Sequence, residues 1–258
     1  MGARLGQHLL RDEGARDAVA SLVAARPGDK VLEIGPGRGA LTGRLAATGA
    51  AVTAVELDDL LAQKLPGMIG SPANLAVLNE DFLRLDLKTL GAGPYLVAGN
   101  LPYAVGTPIL QKLLLWDGWT RAVLMFQKEV ALRVCARPGG ADYGLLALSV
   151  LARADAEYAL DVTKEKFMPP PKVDSGVVVL TRLETPRLPA ADERSFWRLA
   201  KIAFEQRRKM AAGVLAKGLG LKRADVDAAF AAAGVPLDAR PETVPFTAWC
   251  ALAKTLAV

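Results

Sequence analysis

The chain has 258 residues, 52% of them hydrophobic, which suffices for one large core with a small one appended. Two cysteines, Cys135 and Cys250, stand far apart without ligand spacing, which excludes a disulfide framework or a zinc site; no apolar run is long enough to span a bilayer. The net charge of +5 is uneven: residues 1–185 carry 20 Lys+Arg and 20 Asp+Glu, whereas residues 186–258 carry 12 and 7, and such asymmetry points to a polyanionic partner. With no basic-then-apolar N-terminal run, no signal peptide is expected, and the reading is a soluble, cytoplasmic chain that holds no metal.

From residue 12 to about 130, helix and strand alternate. A helix over 12–25 precedes the apolar strand "KVLEIG" (30–35), then a glycine-rich turn, a helix over 40–48, the strand "AVTAVEL" (51–57) and a helix near 58–65. The strands "NLAVLN" (74–79), "PYLVAG" (94–99) and "RAVLMF" (121–126) follow, with a helix over 108–116 between the last two. Strands this uniformly apolar are covered on both faces, so the fold class is α/β: a doubly wound, mostly parallel sheet. Beyond residue 140, "LLALSVLA" (145–152) and "SGVVVLTRL" (175–183) read as two strands that finish the sheet antiparallel, with a further short strand near 157–162. The proline-rich, acidic segment "ETPRLPAADE" (184–193) reads as a linker. Everything after it is helical, including "RRKMAAGVLAKG" (207–218), which gives a domain over 1–185 and a small all-helical domain over 186–258.

The chemistry concentrates at strand ends. "VLEIGPGRGALT" (31–42) places Gly35, Gly37 and Gly39 between a strand and a helix, where the main chain turns sharply and a ligand can come close. Glu56 ends the next strand, 21 residues past Gly35, where a carboxylate can accept both hydroxyls of a ribose. NAD fits that much loosely. Glu33, just ahead of the first glycine, would repel a pyrophosphate, whereas it suits the amino group of an amino-acid moiety. Asp81 and Phe82 follow the third strand, placed for an adenine amine and its ring. Three carboxylates at successive strand ends suit S-adenosylmethionine, a sulfonium with a free amine, better than a diphosphate.

Asn100-Leu101-Pro102-Tyr103 ends the fourth strand. An exocyclic adenine amine is a weak nucleophile because its lone pair is delocalised into the ring. The Asn100 side-chain oxygen and the Leu101 carbonyl can accept its two N–H bonds, Pro102 fixes the turn, and Tyr103 can stack on a base taken out of its helix.

Together these motifs resemble the ribosomal RNA adenine N6,N6-dimethyltransferase family. The resemblance runs nearly end to end, through "GQHLLRD" (6–12), "LEIGPGRGALT", "VELD" (55–58), "NEDFL" (79–83), "GNLPY" (99–103), "LMFQKEVALRV" (124–134), "FMPPPKVDSGVV" (167–178) and "AFEQRRKM" (203–210). It implies a Rossmann-like methyltransferase with a helical RNA-binding domain, acting as a monomer on two adjacent adenosines near the 3′ end of 16S rRNA in the small ribosomal subunit. Carried over by position, Gln7, His8 and Leu10 line the methionine side of the cofactor, and Asn100 borders cofactor and base. Phe167 is expected on the second face of the target base, and Arg207, Arg208 and Lys209 on RNA. His8 is expected to hydrogen-bond on the cofactor side rather than act as a base. A large-subunit RNA methylase of the erythromycin-resistance type, a release-factor glutamine methylase and a non-catalytic assembly factor remain the alternatives.

Overall fold

The computed structural model describes residues 8–256, so Gln7 lies outside the described residues. The chain divides into two compact units, one reaching to Leu132 and including Asp155–Arg182, the other comprising Arg133–Ala154 and Leu183 onward.

The first unit is built on a sheet. In chain order its elements are β1 (Leu9–Leu10), α1 (Glu13–Val23), β2 (Lys30–Ile34), α2 (Thr42–Ala47), β3 (Ala51–Glu56), α3 (Asp59–Met68) and β4 (Leu75–Asn79). There follow β5 (Tyr95–Asn100), α4 (Gly106–Leu115), β6 (Trp119–Gln127), α5 (Lys128–Val134), β7 (Ala154–Val162), β8 (Phe167–Met168) and β9 (Ser175–Arg182). The helices start where the chain offers a cap. The carboxylate of Asp12 accepts the Ala15 N–H at 2.8 Å to open α1, and that of Asp58 accepts the Leu61 N–H at 2.9 Å to open α3. Helix α1 then buries Ala15, Val19 and Val23, one residue per turn, against a core that includes Val31, Val52, Val123 and Val177.

The seven-stranded sheet has the order β4-β3-β2-β5-β6-β9-β7. Strands β4, β3, β2, β5 and β6 are mutually parallel, while β9 runs antiparallel to β6 from Arg121↔Thr181 to Gln127↔Ser175. Two consequences position the site. The chain reverses its direction of travel across the sheet between β2 and β5, and in such sheets ligands bind beyond the carboxyl ends of the strands at that switch point. Because β9 enters reversed, its first residue, Ser175, comes to the same edge as the last residues of the parallel strands.

The second unit is helical: α6 (Leu145–Leu151), α7 (Glu193–Glu205), α8 (Ala211–Leu219), α9 (Arg223–Ala232) and α10 (Phe246–Thr255). Its core gathers Tyr143, Leu148, Phe196, Leu215, Phe230 and Trp249.

Two segments differ from the sequence reading. Residues 145–151 are a helix, not a strand, and the strand beside β9 that finishes the sheet is β7. The segment is Leu- and Ala-rich and apolar almost throughout, so no period distinguishes helix from strand; its composition favours helix, and Ala147 and Leu148 enter the helical core. Arg207–Lys209 lie in a turn, not in a helix. Helix α7 ends at Glu205, Met210 is extended (φ −64°, ψ 125°), and α8 begins at Ala211.

If α6 is helical, Leu148→Ala should cost about 2–5 kcal/mol, and Leu145→Ala, at a partly exposed position, less than about 1 kcal/mol. Urea unfolding of the two variants measures both; equal losses would contradict the helical face.

Candidate active site

Gly35, Gly37 and Gly39 all have positive φ, at 67°, 58° and 82°. At Gly39 a Cβ would also stand 2.5 Å from the Ile69 side chain, so this glycine lets the loop pack closely on the end of α3. The loop is pinned by Glu56, the last residue of β3. One oxygen of its buried carboxylate accepts the Gly37 N–H at 2.9 Å, and the other accepts the Asp58 N–H at 3.0 Å. Each oxygen keeps a lone pair for a further donor, such as a ribose hydroxyl.

Glu33, on β2, is 2% exposed. Its Oε2 and the nearby Thr42 Oγ1 are both buried without a hydrogen-bond partner among the described residues. Burial pushes the Glu33 carboxyl up to about 7; the Thr42 hydroxyl draws it back in part, without completing a bond, and the Glu56 charge raises it further. An uncompensated buried carboxyl is the kind of group that an ammonium ligand satisfies.

Asp81 follows β4. Its Oδ1 accepts the Leu83 N–H at 2.8 Å, and Oδ2 lies 3.7 Å from the Arg84 guanidinium. Phe82 is 5% exposed, and the Lys112 ammonium sits 5.5 Å from its ring centroid, so the ring is more wall than open stacking surface. Lys112 is itself anchored on the Leu83 and Leu85 carbonyls, and burial holds its ammonium below the usual range although Asp81 and Asp86 pull the other way.

At the end of β5, Asn100 donates through Nδ2 to the His8 carbonyl at 3.3 Å. Its Oδ1 and the Leu101 carbonyl accept no hydrogen bond among the described residues. The Tyr103 hydroxyl is 2.8 Å from the hydroxyl of fully buried Ser175. Burial raises the phenol above its ordinary range, the Ser175 bond lowers it in part and Asp174 raises it again, so it stays protonated. The His8 ring stacks on Tyr103 with centroids 5.7 Å apart, and its Nδ1 donates to the Pro169 carbonyl at 2.8 Å. His8 therefore touches Tyr103 and the loop at Pro169 as well as the end of β5. Sequence reasoning missed Thr42 and Ser175, although both lie inside motifs quoted above, and Lys112, which lies in none of them.

The structure brings Glu33, Gly35, Gly37, Glu56, Asp81, Asn100 and Tyr103 to one edge of the sheet. Phe167 lies in β8, paired with Leu10 of β1, and both side chains are 1% exposed in the core of the unit. In the second unit, Arg207 is bound to the Gly140 and Ala141 carbonyls and lies 3.7 Å from Glu242, whereas Arg208 and Lys209 are exposed without side-chain partners among the described residues.

A profile of the ribosomal RNA adenine dimethylase family matches residues 2–257. The chain belongs to that family. Its fold and its parallel strand ends are accordingly those of a methyltransferase. The ribosomal RNA small subunit methyltransferase A of Pseudomonas syringae pv. syringae is 41% identical over 256 residues, 98% of this chain and 93% of the relative. That of Geobacter sulfurreducens is 39% identical over 258 residues, 98% and 94%. Among solved structures, the 23S rRNA methyltransferase ErmE is 29% identical with a TM-score of 0.77, covering 97% of this chain and 100% of its own. A dimethyladenosine transferase from Plasmodium falciparum shares the fold with a TM-score of 0.78 at 24% identity, covering 95% and 96%. Among the described residues no helix is long and apolar enough to cross a membrane, and no cluster of metal-ligating side chains occurs.

Glu33 makes stability depend on pH. An unfolded Glu loses its proton near 4.5 and the folded one near 7, so between these values the unfolded state binds fewer protons and stability falls as pH rises. The loss, on the order of 3 kcal/mol, is complete above pH 7. Glu33→Gln should remove that fall and leave the unliganded protein more stable than wild type at pH 8. Urea unfolding at pH 5 and pH 8 measures the difference, and a wild-type profile that the substitution leaves unchanged would refute it.

Proposed function

We propose that the protein transfers methyl groups from S-adenosylmethionine to the N6 amines of two adjacent adenosines near the 3′ end of small-subunit ribosomal RNA. The observation that carries this reading is the pair of uncommitted oxygens, Asn100 Oδ1 and the Leu101 carbonyl, at the switch point of the sheet beside the Tyr103 ring. The names of the relatives that align along nearly the whole chain support the choice of small-subunit RNA.

The residues fit the cofactor. The partnerless Glu33 carboxyl would take its ammonium, the open lone pairs of Glu56 its ribose hydroxyls, and Asp81 its adenine amine, with the main chain at Gly35 and Gly37 beneath. S-adenosylmethionine supplies an electrophilic methyl on a positively charged sulfur. Asn100 and the Leu101 carbonyl would grip the two hydrogens of the adenine amine, turn its lone pair out of the ring plane and stabilise the positive charge that grows on nitrogen. Tyr103, its hydroxyl fixed by Ser175, would hold the extruded base by stacking, worth on the order of 1–3 kcal/mol. No side-chain base of shifted pKa is needed. Arg208 and Lys209 would contact phosphate in the cytoplasmic subunit, with Arg207 holding their turn in place.

Large-subunit RNA is the second reading, favoured by the likeness to ErmE. Incubation of purified small and large subunits with labelled cofactor, followed by mass spectrometry of the RNA, separates the two; label in large-subunit RNA alone would overturn the first. Asn100→Ala should lower turnover by about 10²–10³-fold or more while RNA binding stays near wild type. Undiminished turnover would remove Asn100 from the mechanism.

A further inference from the structure

Helix α7 carries its charges in one place. At 100° per residue, Arg194, Arg198 and Lys201 fall within about 60° of arc and span about 10 Å of the axis, diametrically opposite the buried Phe196, Leu199, Ala200 and Ala203. All three are exposed, and none has a side-chain partner among the described residues. The acids that open the helix do not neutralise them: Asp192 is 3.7 Å from Lys254, and Glu193 pairs with Arg153. Two further cations of the unit are likewise taken, Arg207 by Glu242 and Arg223 by Asp227. The unit as a whole holds 15 basic and 9 acidic residues, the first unit 17 and 18, so its surplus of +6 is unbalanced where these pairs are absent. Glu205 follows in the same arc, but Arg208 and Lys209 stand just beyond it, both exposed.

We infer that the solvent face of α7 is a phosphate-binding ridge, which engages the backbone of the RNA through Arg194, Arg198 and Lys201. The inference rests on the RNA reading above and adds three contacts, on a different element, to the turn at Arg208 and Lys209. Two arginines favour phosphate, whose oxygens match the planar guanidinium fork. A lipid surface fits poorly, because the large apolar side chains of α7 face its own core and leave none in the cationic arc to insert. Contacts of this kind carry no base specificity; they fix orientation and scale with salt.

The test uses the full chain with Arg194→Gln, Arg198→Gln and Lys201→Gln combined, a fluorescent RNA hairpin and no cofactor. A second triple variant, Lys217→Gln, Lys222→Gln and Arg240→Gln, removes the same charge from other exposed positions of the unit. The ridge variant should lower the slope of log Kd against log salt by about 2–3, so that raising salt from about 50 to 200 mM costs it about 40-fold less affinity than wild type. The control variant should keep the wild-type slope, and both should keep the wild-type melting temperature and cofactor binding. An unchanged slope in the ridge variant, or an equal change in the control, overturns the inference. So does loss of binding to whole small subunits with hairpin binding intact, which would make the partner an acidic protein surface. A chain that binds the hairpin as expected but labels no ribosomal RNA would instead count against the proposed function and leave the ridge standing.

Discussion

The buried Glu56 carboxylate holds the cofactor end together. By accepting one N–H from the glycine loop after β2 and one from the start of α3, it ties two adjacent strand ends into a single rim. It shares the loop with the Val55 carbonyl, which accepts the Gly35 N–H at 3.0 Å. It also sets the electrostatics of its neighbour. Glu33 sits beside a second carboxylate in a dry site, and both effects favour its neutral form until a cation arrives. The proposed binding of an ammonium there would be coupled to release of a proton, which would lower the affinity below pH 7.

The acceptor end is organised by direction rather than by charge. Parallel strands deliver Asn100 and the glycine loop to one edge, and only an antiparallel strand could bring the start of β9 to meet them. The hydrogen bond between Tyr103 and Ser175 is the product, and it joins residues 72 apart in the chain. A ring held at its hydroxyl has less freedom to lose when a base stacks on it.

Much of this was legible in the sequence because the informative residues sit where strand meets loop. Glycines after an apolar run, acids at successive strand ends and an Asn-Leu-Pro-Tyr turn keep their meaning whatever the rest of the chain does. What the sequence hid depended on partners far away. Phe167 is an aromatic in a motif, yet its direction is set by pairing with Leu10 across the chain. Arg207 is one of three adjacent cations, and the distant carbonyls of Gly140 and Ala141 together with Glu242 distinguish it from Arg208. Residues 145–151 lacked any period at all, so their helix is decided by the core they join. The charge excess of residues 186–258 was visible, but not which of its cations lack a side-chain partner among the described residues.

The reversed entry of β9 carries one more implication. The loop that leads into Ser175 reaches the acceptor edge, while the glycine loop and the acids at Glu56 and Asp81 belong to strands on the other side of β5. The residues proposed for the cofactor thus come largely from β2 to β4, and those proposed for the base from β5 and the start of β9. Residues 163–174 are the hinge between them: β8 pairs with β1 and the Pro169 carbonyl holds the His8 ring, so a change in that one segment is felt at both ends of the site.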